Sequence, residues 1–104
     1  MKYFPDKWVV IRASDGETTY DKVFASWYGG FAGSDSWKLS SAIVSMVDEG
    51  NITTFHNESG SEYVCHKNSY GTSFYSHGIL ESWKEALPEN FTIEVLEEYD
   101  VRVH

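Results

Sequence analysis

The chain has 104 residues, 41% of them hydrophobic and 23% charged, with a net charge of −8. That length suits a single domain over residues 1–104, and the apolar fraction argues against disorder. No apolar run is long enough to span a membrane, and the first eight residues, MKYFPDKW, lack a secretory apolar region.

Lys7–Ala13 (KWVVIRA) is rich in β-branched and aromatic residues and predicts a strand. Asp15-Gly16 supplies a hairpin turn, with Thr18–Trp27 as the return strand. Tyr28–Ser36 (YGGFAGSDS) is a Gly/Ser-rich loop whose glycine spacing matches no phosphate-binding fingerprint. Trp37–Val47 (WKLSSAIVSMV) fits either helix or strand; its serines and β-branched pair favour strand, with a turn at Asp48–Asn51.

Ile52–Asn57 and Ser61–Lys67 flank Glu58-Ser-Gly-Ser61 and predict a second hairpin. A two-residue Ser59-Gly60 turn would set His56 opposite Tyr63 and Phe55 opposite Val64. Phe55 and Val64 would then share one face, and His56, Tyr63 and Cys65 the other. Asn68–Gly78 reads as a second aromatic Gly/Ser loop, followed by a helix over Ile79–Leu87 with Ser76 as its N-cap and Pro88 as its stop. Phe91–Val103 alternates as a half-buried strand. Together these elements predict an α+β, mainly β fold: an antiparallel sheet of about five to six strands with one short helix packed on it. Trp8, Val10, Phe55, Val64, Trp83, Ile93 and Val95 are expected in or beside the core.

Within Ser36–Gly71, the blocks SWKLSSAI and SGSEYVCHKNSYG resemble small accessory proteins of T-even-like tailed bacteriophages. The resemblance implies a phage protein made in the bacterial host cytoplasm, one that redirects a host enzyme or blocks a defence system by stoichiometric binding. It assigns no functional residue.

Chemistry-bearing motifs are sparse. The chain contains no Walker loop, no GxSxG elbow, no HExxH and no CxxC pair. Cys65 with His56, His66 and His77 is the one group worth weighing as a metal or nucleophile cluster, but adjacent Cys65 and His66 point to opposite strand faces. Glu81, Glu85 and Glu89 fit a solvated helix face. The residues therefore predict a non-enzymatic protein with no metal and no cofactor.

Charge directs the choice of partner. Residues 1–40 are balanced, and residues 41–104 carry the whole acidic excess. Repulsion opposes docking of that half on a phosphate backbone, so general nucleic-acid binding is disfavoured. The leading expectation is an inhibitor of a host protein, such as a defence or nucleic-acid-processing enzyme, with Glu94, Glu98 and Asp100 on one side of the last strand as the contact face. The rival is a sponge for a small nucleotide signal, with Trp27, Tyr28, Trp37, Lys38, Tyr70, Tyr75 and His77 lining an aromatic pocket. A homo-oligomer would enclose more of such a ligand than one small domain can.

Overall fold

The computed structural model describes residues 1–30 and 33–97. The protein is mainly β with one helix. In chain order come β1 (Lys2–Tyr3), β2 (Lys7–Ser14), β3 (Thr19–Trp27), β4 (Ser36–Glu49), β5 (Ile52–Asn57), β6 (Glu62–His66), a 3-10 turn at Lys67–Ser69, α1 (Phe74–Ala86) and β7 (Thr92–Val95). They form one seven-stranded sheet in the order β1-β6-β5-β4-β3-β2-β7. It is mixed, not antiparallel throughout, because β1 pairs parallel with β6. A two-residue strand is too short to show periodicity, so β1 escapes a reading of pattern alone.

The sheet is rolled. Trp8 Nε1 in β2 donates to the carbonyl of His66 in β6 at 2.7 Å. Four strand spacings separate those strands in the sheet order, which would be roughly 19 Å in a flat sheet. The long strand β4 makes the bend. Its residues up to Ala42 pair with β3, and its residues from Ile43 onward pair with β5, with register irregularities on both sides of the changeover.

The roll encloses one core of Trp8, Val10, Val23, Ala25, Ile43, Phe55, Tyr63 and Cys65. The 3-10 turn delivers Tyr70 to its open side. There the Val10 N–H donates to the Tyr70 hydroxyl at 3.2 Å, and that hydroxyl donates to the Leu96 carbonyl at 2.6 Å. The second core lies on the outer face, where α1 covers Val9, Ile11 and Phe24 with Leu80. Strand β2 is buried on both faces, which explains its continuous run of apolar residues.

Three expected elements shift. The β5–β6 hairpin is offset by one residue: Phe55 faces Tyr63, and His56 faces Glu62. The Gly60 N–H donates to the Asn57 carbonyl at 2.9 Å and the Asn57 N–H to the Ser61 carbonyl at 3.0 Å. The loop is thus three residues long, with Gly60 at φ +92° as the left-handed third residue. One residue of offset exchanges partners, so Tyr63 and Cys65 join Phe55 inside and Val64 lies on the outer face.

The helix starts five residues earlier than its apolar stripe suggests. Ser73 is the N-cap, its hydroxyl accepting from the Ser76 N–H while the Ser76 hydroxyl accepts from the Ser73 N–H. This capping box recruits Phe74–Gly78, which composition alone makes a loop. Trp83, Ile93 and Val95 pack half-buried against the second core. The last strand is four residues within the described chain, and the remainder of Phe91–Val103 beyond Glu97 lies outside the described residues.

Candidate protein-interaction surface

The expected acidic face begins at Glu94 in β7. Pairing with β2 sets Glu94 opposite Arg12, which in turn faces Asp21 in β3. The Arg12 guanidinium donates to both Asp21 carboxylate oxygens, at 2.8 and 3.1 Å. That hydrogen-bonded pairing, and the nearby Glu94 charge, raise the Arg12 pKa above its ordinary value. Glu94 is exposed, yet it belongs to a row that already holds a cation. Glu98 and Asp100 lie outside the described residues.

The aromatic residues of the two expected loops separate onto different surfaces. Neighbouring Trp37 and Lys38 project to opposite faces of β4. The Trp37 ring meets Trp83 at 5.0 Å and Phe24 at 5.8 Å on the helix side. Lys38 Nζ sits 5.3 Å from the centre of the Tyr3 ring, which stacks on Tyr63 and leans against Trp27. Trp27 Nε1 donates to the Phe4 carbonyl, and Tyr28 is exposed. Tyr70 is committed to closing the roll and meets Trp8 edge-on at 4.7 Å. Tyr75 and His77 lie on α1, where His77 Nε2 is 3.8 Å from Glu81.

The start of the glycine-rich loop is held by two carboxylates, one from the β1–β2 connection and one from the loop itself. The N–H groups of Tyr28 and Gly29 donate to the carboxylates of Asp6 and Asp35, both at 2.9 Å. Those two donors are therefore occupied, which accounts for a tight turn without invoking a phosphate. Cys65 is fully buried, and burial pushes its thiol well above the ordinary range, away from the thiolate a nucleophile needs. Among the described residues, no group of three or more His, Cys, Asp or Glu is placed to hold a metal ion. No described helix is long and apolar enough to cross a membrane.

One surface stands out that sequence reading missed. Buried Ser76 and Leu80, with half-buried Ile79 and Trp83, fix the inner stripe of α1. At 100° per residue the opposite stripe is Phe74, Gly78, Glu81 and Glu85. Phe74 is fully exposed, the most exposed large hydrophobic side chain among those described. Lys84 lies 3.9 Å from Glu81, while Glu85 and the following Glu89 have no ion-pair partner among the described residues. The missing signal was the capping box: without Ser73 as N-cap, Phe74 belongs to a loop and has no helical face.

Nothing matches this chain among protein-family models, curated proteins or solved structures.

Proposed function

We propose that the protein is a non-enzymatic binding protein that blocks a basic partner by stoichiometric docking of its acidic surface. The observation that carries this reading is Phe74, fully exposed at the head of a helix whose solvent stripe continues with Glu81 and Glu85. An exposed aromatic ring beside carboxylates suits a partner that offers an apolar hole rimmed by Lys or Arg. Glu94 in β7 adds a further exposed carboxylate, and Glu98 and Asp100 follow it in the sequence. The resemblance of Ser36–Gly71 to phage accessory proteins supplies the setting: a host defence or nucleic-acid-processing enzyme in the bacterial cytoplasm, inhibited by occupation of its basic face.

Affinity capture from bacterial lysate tests the reading when wild type is run beside Phe74→Ala and Glu81→Lys/Glu85→Lys. A partner held by wild type, lost from both variants and inhibited on binding supports it. A partner held equally by all three removes the helix stripe from the proposal.

A small-nucleotide sponge is the second reading, and Lys38 over Tyr3 beside Trp27 is the corner that favours it. Calorimetry against cyclic dinucleotides and ADP-ribose derivatives separates the two. Heat of binding that disappears in Lys38→Ala and Trp27→Ala would move the sponge ahead.

A further inference from the structure

We propose that the fork between β3 and β4 binds a small zwitterion, a free α-amino acid with an apolar or aromatic side chain. Ladder partners of β3 and β4 end at Lys22 and Ala42. Beyond that pair β4 turns away to β5, so residues 19–21 and 43–45 have no ladder partners in each other. The parting strands leave a crevice of about 360 Å³, lined by Tyr20, Lys22, Ser41, Ala42, Glu58 and Ser59. That volume lies at the small end of the roughly 300–1,000 Å³ range of ligand pockets. The β5–β6 turn fixes the far wall. There the Glu58 N–H donates to the Ala42 carbonyl at 2.8 Å, and the Ser59 N–H donates to Ser41 Oγ at 3.0 Å. The crevice shares no residue with the helix stripe or with the Lys38–Tyr3 corner.

Charge selects the ligand. Lys22 and Glu58 border the same crevice, yet neither makes an ion pair among the described residues. Lys22 is half-buried, and its cross-strand neighbours Ile11 and Ala42 cannot answer its charge. A purely anionic ligand would be repelled by Glu58, and a purely cationic one by Lys22. A zwitterion satisfies both, with its carboxylate on Lys22 and its ammonium on Glu58. Ser41 Oγ accepts from the Ser59 N–H and donates to Ser59 Oγ, which leaves one lone pair for the ligand ammonium. Tyr20 lies on the same strand face as Lys22 and is 48% exposed. Its ring forms the apolar wall against which the ligand side chain packs.

Backbone-amide NMR titrations of the whole chain test this with three probes: L-phenylalanine, N-acetyl-L-phenylalanine and L-phenylalaninamide. L-phenylalanine should shift the Tyr20, Lys22, Ser41 and Ser59 amides with a Kd of about 1 mM or tighter. The N-acetyl compound lacks the ammonium and the amide lacks the carboxylate, so each should bind roughly tenfold more weakly. Lys22→Met should weaken L-phenylalanine by about tenfold without weakening L-phenylalaninamide. Glu58→Gln should do the same without weakening N-acetyl-L-phenylalanine. Dispersed spectra verify that both variants are folded. Crevice amides that stay unshifted up to about 20 mM L-phenylalanine overturn the inference. So does equal binding of the three probes, or L-phenylalanine binding that survives both substitutions, since either result removes the paired charges from recognition.

Discussion

Trp8 Nε1 and the His66 carbonyl meet at 2.7 Å across 58 residues of chain. This bond joins β2 to β6 without ladder pairing between them, and it seats the indole over Phe55, with ring centres 5.4 Å apart. Trp8→Phe retains most of the buried ring but leaves the His66 carbonyl without its partner. Chemical denaturation should show a loss of about 1–3 kcal/mol. Trp8→Ala adds a cavity and should cost about 3–5 kcal/mol. Equal losses for the two variants would reduce the role of Trp8 to volume alone.

The Ser73–Ser76 capping box should be worth about 0.5–2 kcal/mol, read as the loss of unfolding free energy in Ser73→Ala. Ser73→Asp should retain most of that energy, because a carboxylate also accepts at the N-cap and favours the positive end of the helix dipole. The helix would begin later if the cap sat at Ser76, and Ser73→Ala would then be neutral. The same variant tests the helical placement of Phe74, since a frayed first turn withdraws that ring from the outer stripe.

Alkaline pH should destabilise the fold. Burial pushes the Tyr63 hydroxyl up to about 12 from an ordinary 10.0, and burial raises Tyr70 as well. The folded state thus holds these protons where the unfolded chain releases them. Their contribution is complete below pH 10 and is lost as pH rises towards 12, a fall on the order of 2 kcal/mol for Tyr63 alone. Denaturant titrations between pH 9 and pH 12, compared with Tyr63→Phe, measure it: the variant should show the shallower decline.

Legibility of the fold followed the range of the interactions that determine each element. Strands β2, β3 and β5 were readable because they are rich in β-branched and aromatic residues and bounded by Asp15-Gly16 and by Glu58–Gly60. Strand β4 was resolved towards strand by Ile43-Val44, but its bend was hidden, since changing partners at Ala42–Ile43 is a tertiary event. The β5–β6 register turned on one hydrogen bond, Gly60 N–H to the Asn57 carbonyl, which distinguishes a three-residue loop from a two-residue one. That choice reversed the expected positions of Tyr63 and Val64. Among the candidate pocket residues, Trp37 and Lys38 were inseparable by composition, yet strand alternation alone places them on opposite faces. Phe74 read as an aromatic of the second Gly/Ser loop because a cap built from two serines three residues apart is weaker in sequence than the Ser-to-Glu pattern.

Two glycine-to-alanine substitutions should have opposite signs, and together they test backbone conformation separately from packing. Gly60 has φ +92°, and an added Cβ there would meet nothing within 4 Å. Gly60→Ala should therefore cost about 1–2 kcal/mol through the left-handed backbone alone. Gly60→Asn should cost less, because Asn tolerates that region. Gly78 sits within α1 on the solvent stripe, has no positive φ, and also has open space where a Cβ would project. Alanine there restricts the unfolded chain and suits the helix, so Gly78→Ala should stabilise by about 0.5–1 kcal/mol. Thermal melts of the two variants beside wild type decide the matter. A gain at Gly60 would mean that the hairpin does not close through a left-handed third residue. A loss at Gly78 would mean that this position is not an exposed helical one, and the outer stripe linking Phe74 to Glu81 and Glu85 would fail with it.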